Sequence, residues 1–171
     1  MKVLVVSDNH GDRDVLVDLI QTYQGKVNQM FHCGDSELPS DDPIWEQMLS
    51  IRGNCDYDSA FPTSRVTKVD GETVLTVHGH LHDVKFTMDT LIYAAKEVGA
   101  SFAFFGHTHE LGVEMVDSIL LLNPGSISLP RGRFSGTKTY AIIETTPELI
   151  QVTYYDRSHQ PVDGLHFDFK R

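Results

Sequence analysis

Seven side chains of the types that bind metal ions stand after short apolar runs of the sequence. They offer carboxylate, amide and imidazole donors, and glycine flanks four of the five segments that carry them. Two pairs have a spacing of two residues, which in an extended segment directs both side chains to the same side. This pattern predicts a metal centre with oxygen and imidazole ligands. The seven residues are Asp8, His10, Asp35, Asn54, His78, His107 and His109.

Each of these segments has an ordinary structural explanation when it is taken alone. An Asp-x-His after a strand is more often a turn with a capping aspartate than a pair of ligands. Asp35 and Asn54 are typical turn residues. A single Gly-His-x-His is as compatible with a turn as with a metal site, although histidine is the commonest metal ligand. One shared site explains all five segments better than five independent coincidences.

The hydrophobic pattern indicates how the chain brings these segments together. Strands alternate with helices over the first two thirds and strands dominate the rest, which predicts an α/β fold with mixed sheets covered by helices. Asp70-Gly71 joins two strands as a hairpin. Ligands of such sheets bind beside the carboxyl ends of strands, where the donors stand. Strands are predicted at 2–7, 28–33, 49–52, both arms of the hairpin, 100–106, 112–117, 118–123, 139–145, 149–156 and 165–169, and helices at 12–23, 43–49 and 85–98.

The length and composition favour one globular domain over residues 1–171. The chain is 40% hydrophobic and 22% charged, with no low-complexity segment, which is ordinary for a folded protein. The first apolar run is too short for a signal peptide, and no run approaches the roughly 18 residues of a membrane span. We therefore expect a cytoplasmic protein without a membrane partner, in which Cys33 and Cys55 stay reduced.

The net charge restricts the partners of the chain. Fourteen basic and 24 acidic residues give a formal charge of −10, which argues against general nucleic-acid binding because that function needs a basic face. A small phosphate-bearing substrate is still compatible if bound metal ions supply positive charge.

Six short motifs follow one another along the chain. They are SDNH, GDSE, RGNCD, VHGH, GHTH and, at 123–126, NPGS. This set resembles the motifs of the calcineurin-like metallophosphoesterase superfamily. The likeness is greatest to its small bacterial phosphodiesterase branch, which is related to the retromer-subunit-like scaffold proteins. The resemblance spans essentially the whole chain. It implies a four-layer αββα sandwich with two mixed sheets flanked by helices.

The resemblance also implies a binuclear metal centre bridged by Asp35. The ions would be divalent transition metals, manganese first, with iron, zinc, cobalt and nickel as alternatives, because mixed imidazole and oxygen ligands suit these metals. Two dications and two ligand carboxylates leave a charge of +2, which can hold an anion. One metal would take Asp8, His10, Asp35 and His109, and the other Asp35, Asn54, His78 and His107.

The function implied is hydrolysis of a phosphodiester by in-line attack of a metal-bridging hydroxide. The substrate would be a small-molecule phosphoester or a nucleotide. The alternatives are a phosphomonoesterase, or a metal-binding scaffold or protein-interaction module on the same fold. The scaffold relatives tend to lose ligands, whereas all seven positions here keep donors, which favours an enzyme. The sequence leaves a homo-oligomer open.

This sequence departs from the family pattern at the residue that is expected to be the general acid. In many members of the superfamily a histidine follows the metal-binding asparagine, and here that residue is Cys55. We interpret Cys55 as mainly a small buried side chain and Asn54 as the ligand. His80 is the candidate catalytic proton donor beside Asp35, with metal-bound water as the alternative. Arg131 and Arg133 lie in a loop that is solvated by default, although an arginine there could clamp a substrate phosphate.

Overall fold

Eleven strands and two α-helices make up the fold, and the computed structural model describes all of residues 1–171. Two short 3₁₀ turns, Pro43–Glu46 and Gly132–Phe134, complete it. The strands are β1 (Lys2–Val6), β2 (Gln29–His32), β3 (Leu49–Ser50), β4 (Ser64–Val69), β5 (Glu72–Val77), β6 (Phe102–Phe104), β7 (Gly112–Val116), β8 (Ile119–Asn123), β9 (Thr139–Thr145), β10 (Leu149–Asp156) and β11 (Pro161–Lys170), and the helices are α1 (Arg13–Tyr23) and α2 (Asp89–Glu97).

The strands form two mixed sheets. The first has six strands in the order β11-β10-β9-β1-β2-β3, and the second has five in the order β4-β5-β6-β8-β7. Within the first sheet β1, β2 and β3 run parallel, and within the second β5, β6 and β8 do. Parallel neighbours end at the same edge of a sheet, so the loops after these strands share one end of the molecule.

Three apolar clusters separate four layers. Strand β1 alternates its faces, so that Val3 and Val5 point into the core between the sheets while Leu4 and Val6 pack against α1. Helix α1 covers the first sheet, and α2 covers the second through a further cluster. The predicted αββα sandwich with two mixed sheets flanked by helices is therefore confirmed.

Several predicted elements differ from the structure in their bounds, and the strand predicted at 100–106 is only Phe102–Phe104. The helix predicted at 85–98 begins only at Asp89, because residues before it form turns and the Thr87 Oγ1 atom accepts the Asp89 amide at 3.1 Å. The helix predicted at 43–49 is a single 3₁₀ turn. The last strand is longer than 165–169, since β11 pairs with β10 far beyond its few apolar residues. No helix is both long and apolar enough to cross a membrane.

Candidate metal centre

The loops after five strands bring the seven predicted donors to one end of the two sheets. Asp8 follows β1 and Asp35 follows β2, while His78 directly follows β5. Both sheets therefore contribute side chains to the same place. The third strand and β6 supply the remaining loop donors, Asn54, His107 and His109.

Four of the donors form a tight group. One ligand atom from each lies within 4.8 Å of those of the other three. The Nε2 atom of His109 is 3.2 Å from Asp8 Oδ1 and 3.2 Å from His10 Nε2. The four residues are Asp8, His10, Asp35 and His109, the set predicted for one metal.

The other predicted set adjoins this group through Asp35. The His78 Nε2 atom lies 3.3 Å from Asp35 Oδ2 and 3.1 Å from Asn54 Oδ1. The rings of His78 and His107 have centroids 5.1 Å apart. Asp35 thus lies at the junction of the two groups, and Asn54 is the most exposed member. The structure brings together all seven residues.

Hydrogen bonds on the far side of three imidazoles fix which ring nitrogen faces the centre. The Nδ1 atom of His10 lies 2.6 Å from Glu37 Oε1, and that of His109 lies 2.8 Å from the Leu129 carbonyl oxygen. The Nδ1 atom of His78 is likewise 2.7 Å from the Cys33 carbonyl oxygen. These oxygens can only accept, so each Nδ1 carries the hydrogen and each neutral ring presents a lone pair on Nε2.

The inward atoms fit a cation and fit little else. With both rings neutral, His10 and His109 direct two Nε2 lone pairs at each other across 3.2 Å, which is repulsive unless a proton or a metal ion is shared. The buried Oδ1 atom of Asp8 has only the His109 Nε2 atom as a polar neighbour, at 3.2 Å, a costly arrangement for a carboxylate when that nitrogen presents a lone pair. The residues present therefore suit divalent transition-metal ions.

The titration behaviour of the second group reflects the same excess of acceptors. Burial lowers the pKa of His78, but the approach of Nε2 to Asp35 and the charges of Asp8 and Asp35 outweigh it, so the pKa is raised overall and Nε2 binds a proton more readily than in a free imidazole. Burial conversely raises the pKa of Asp35, and the contacts with His78 and Cys55 bring it well below its usual range. Asp35 therefore stays ionised while it attracts a positive charge to the position of His78 Nε2.

Backbone conformation at the donors departs from the extended geometry assumed in the sequence argument. Positive φ angles occur at Asp8 (56°), His10 (44°), Asp35 (54°), His107 (68°) and His109 (60°). The pairs with a spacing of two residues do meet, but through left-handed turns rather than extended segments. Left-handed residues other than glycine are uncommon and cluster at functional sites.

Comparison with known proteins agrees with this geometry. Residues 1–148 match the model of the calcineurin-like phosphoesterase superfamily domain. The chain belongs to this superfamily. The probable metallophosphoesterase YsnB of Bacillus subtilis is 37% identical over 165 residues, which is 96% of each chain. A phosphodiesterase of Methanocaldococcus jannaschii is 24% identical over 158 residues, 85% of this chain and 93% of the relative.

A solved structure is also closely similar to this phosphoesterase-superfamily chain. It is a conserved uncharacterised protein of Streptococcus pneumoniae TIGR4, described as a predicted phosphoesterase, with a TM-score of 0.97 and 37% identity. The match covers 99% of this chain and 97% of the other.

A residue that the sequence analysis passed over holds two loops of this superfamily member in place. Asp56 is buried and accepts hydrogen bonds from the amides of Asp35 (2.9 Å), Glu37 (2.7 Å) and Gly53 (2.7 Å). It also accepts one from the Ser36 hydroxyl at 3.0 Å. One feature of the sequence indicated this role of Asp56. It lies in the turn after the predicted ligand Asn54, and an aspartate in a turn accepts hydrogen bonds from backbone amides.

Glycine allows the closest approaches between these loops. A Cβ atom on Gly53 would overlap the carboxylate of Asp35, and one on Gly106 would overlap the Ser7 hydroxyl and the Asp8 carboxylate. Any side chain at either position would therefore displace a predicted ligand. Only glycine therefore fits at these two positions beside the donors, for steric reasons as well as for turn formation.

Cys55 occupies a different environment from the one predicted. It is half-buried rather than buried, and its Sγ atom lies within 4.8 Å of donor atoms of His10 and Glu37. Burial and the nearby charge of Asp35 raise the pKa of this thiol to about 11, so the thiol is protonated at neutral pH. Its backbone amide donates to Asp35 Oδ1 at 2.8 Å. The description as a small buried side chain is therefore wrong.

His80 lies over the second group of donors. Its ring centroid is 5.4 Å from that of His78 and 6.1 Å from that of His107. Burial and the neighbouring His78 lower its pKa, so its imidazole is neutral near pH 7. The Nδ1 atom of His80 is buried and has no hydrogen-bond partner. One polar atom of this side chain is thus free to bind a ligand or a water molecule.

Two polar residues outside the donor groups form hydrogen bonds with the loop after β1. His32 is buried and bonds Asn9 Oδ1 through Nε2 at 2.9 Å, and burial lowers its pKa to about 4. The Ser126 hydroxyl of the NPGS segment donates to the Asp8 carbonyl at 2.8 Å. Both residues therefore act on the loop that carries Asp8 and His10 without joining the donor groups.

Proposed function

We propose that this protein is a metal-dependent phosphodiesterase that hydrolyses a small phosphoester. The observation that carries the proposal is the convergence of seven donors whose inward atoms are acceptors. Such a cluster has no purpose in a purely structural site, because it is stable only around positive charge. Membership of the phosphoesterase superfamily supports hydrolysis, and the relative named a phosphodiesterase supports a diester as substrate.

Two divalent ions, with manganese as the first candidate, would occupy the adjoining donor groups. Asp8, His10, Asp35 and His109 would hold one, and Asp35, Asn54, His78 and His107 would hold the other. Bound dications would activate a water molecule for in-line attack, by lowering its pKa towards about 7, and would stabilise the phosphoryl oxygens.

The protein's own side chains would set the geometry of this reaction. Asp35, at the junction of the two groups, would fix the spacing of the two ions as their shared ligand. Glu37 and two backbone carbonyls orient imidazoles so that Nε2 faces inward, which spares the cost of ordering them on binding. His80, beside the second group, would donate a hydrogen bond to the leaving oxygen from its neutral imidazole, or a proton from the small fraction that is protonated near neutral pH.

Turnover on matched model substrates tests the proposal. Purified protein with manganese added should hydrolyse bis(p-nitrophenyl) phosphate faster than p-nitrophenyl phosphate, and its metal content should approach two ions per chain. The reverse order of rates would make it a phosphomonoesterase. Two bound ions without turnover on any phosphoester of a broad panel would favour a scaffold function.

Substitution of Asp35 tests the shared-ligand assignment. We expect Asp35→Asn to reduce the content of both metals and to remove most of the activity, because the amide supplies one neutral oxygen in place of a bridging carboxylate. Asp58→Asn is the matched control, since Asp58 caps an exposed turn through the Ser40 and Ala60 amides. A variant at Asp35 that loses only one ion would contradict bridging.

A further inference from the structure

A cavity of about 520 Å³ opens beside the donor cluster on the side of the second sheet. Its wall includes Thr108, the residue between His107 and His109. The amide of Asn123 holds this wall in place by donating to the Thr108 hydroxyl at 3.0 Å and to the Gly106 carbonyl at 2.9 Å. The volume lies within the usual range for small-molecule sites.

Two cationic side chains line this cavity without an anionic partner. Lys85 and Arg131 are both exposed, and neither takes part in an ion pair. The Arg131 amide donates to the His109 carbonyl at 2.9 Å, which fixes the backbone of Arg131 beside the metal-centre loop. Lys85 shares the cavity lining with Thr108, the residue between the donors His107 and His109, so both cations line a cavity next to the donor loop.

The rest of the lining is mainly apolar. Val84, Met88, Phe105 and Leu111 contribute to it. Glu110 is the one carboxylate, so two cations and one anion leave the cavity with a local excess of positive charge. An apolar body that carries an anionic group matches this lining.

We propose that Lys85 and Arg131 form a subsite for a second phosphate of the substrate, carried on the part of the phosphodiester that occupies this cavity. The inference rests on the proposed phosphodiesterase function and names the substrate class of that same site. The preferred substrate is then a small phosphodiester that carries an additional terminal phosphate on an apolar body, and a short phosphorylated nucleotide is the probe for it. The reacting phosphate would lie at the donor cluster and the terminal phosphate at the two cations.

The charge of the whole protein favours a short substrate over a polymer. A formal charge of −10 repels a long polyanion, whereas a small anion meets mainly the local field of the cavity. Phosphate recognition by an arginine and a lysine that line one cavity would therefore select small phosphorylated substrates without general nucleic-acid binding.

A pair of substrates that differ only in the terminal phosphate tests the subsite. Wild-type protein should hydrolyse a 5′-phosphorylated dinucleotide with a kcat/KM at least about tenfold above that of the same dinucleoside monophosphate without the 5′-phosphate. Lys85→Ala and Arg131→Ala should each remove most of this preference, with the loss mainly in KM. Both variants should hydrolyse bis(p-nitrophenyl) phosphate within about twofold of wild type, because that substrate has no second phosphate.

Arg133→Ala is the matched control, since Arg133 lies two residues along the same loop and packs over the Phe134 ring at 5.5 Å. It should leave the preference unchanged. Equal losses on all substrates, or an unchanged preference in both Lys85 and Arg131 variants, would overturn the subsite. If no phosphoester is hydrolysed at all, the proposed function itself fails, so the two failures are distinguishable.

Equilibrium binding gives a measure that does not depend on turnover. Titration calorimetry with adenosine 3′,5′-bisphosphate on the manganese-loaded protein should show about tenfold weaker binding for Lys85→Ala and Arg131→Ala than for wild type. Arg133→Ala should bind as wild type does. Equal affinities in all four proteins would contradict a role for these cations in phosphate recognition.

Discussion

Individual donor residues of this protein combine backbone strain with enforced side-chain orientation. Five of the seven have positive φ angles, and each such residue costs of order 1–3 kcal/mol when its side chain is not glycine, with aspartate and histidine at the lower end. The strain persists because hydrogen bonds to Glu37, Asp56 and backbone carbonyls over-determine the loops. At the residue scale, folding thus prepares the site before any ligand arrives.

His80 is the residue whose chemical role is most open to test. We expect His80→Gln to reduce hydrolysis of a methyl or other alkyl diester by about 100-fold, the lower end of the effect of a general acid. Loss on bis(p-nitrophenyl) phosphate should stay within about tenfold, because p-nitrophenolate leaves without a proton. The measurement is the dependence of the rate on the pKa of the leaving group, at equal metal content.

Cys55→Ser supplies the comparison for His80. Cys55 contacts Asp35 through its backbone amide and its thiol, and serine keeps the amide and replaces the thiol by another donor, so turnover should remain within about tenfold of wild type, roughly 1.4 kcal/mol of barrier. A steep loss for Cys55→Ser on alkyl diesters, with His80→Gln unaffected, would transfer the acid role to the thiol.

At the scale of elements, Asp56 joins the loop after β2 to the loop after β3. Its carboxylate accepts three amide hydrogen bonds and one hydroxyl hydrogen bond from these loops. We expect Asp56→Ala to lower the free energy of unfolding by on the order of 3 kcal/mol, because several buried donors lose their partner. Urea denaturation measures this, and metal content should fall in parallel.

Asp58→Ala is the control for Asp56. Asp58 is also an aspartate that accepts backbone amides, from Ser40 and Ala60, but these bonds lie farther along the two loops and involve none of the donor residues. It should change metal content little. Equal metal content in Asp56→Ala and wild type would mean that the two loops keep their positions without this carboxylate.

The elements that the sequence predicts well are those whose periodicity and burial agree. The predicted strands 139–145 and 149–156 coincide with β9 and β10, because β9 is a continuous run of buried residues, β10 alternates clearly, and both end at turns. Helix α2 starts later than its apolar pattern suggests, since that pattern does not distinguish the turns around Lys85 from a helix. Strand β11 is polar on one side, and its length depends on pairing with β10.

The gathering of the donors could also be predicted, because the carboxyl ends of parallel strands share an edge. The means of their positioning could not. Left-handed turns at Asp8 and His107 depend on contacts with other loops, and so does the orientation of His10 by Glu37, 27 residues away. Such long-range contacts cannot be predicted from local sequence, so sequence alone assigned no role to Asp56 or Glu37.

For the whole molecule, the donor cluster connects the two sheets at one end. Asp8, Asp35 and Asn54 come from loops of the first sheet, and His78, His107 and His109 from loops of the second. The apolar core between the sheets connects them elsewhere. That residues 1–171 form one domain stays a prediction, which this shared core supports.

Metal binding should therefore stabilise the whole fold. An unfolded chain cannot gather donors from segments about 100 residues apart, so ions bind mainly the folded state, and manganese at 100 times its Kd should add about 2.7 kcal/mol per independent site. Thermal unfolding with manganese and with a chelator measures the difference as a shift in Tm. Asp35→Asn should show a much smaller shift than wild type, whereas Asp58→Asn should match it. A wild-type Tm that is the same with and without metal would show that the ions do not connect the two sheets.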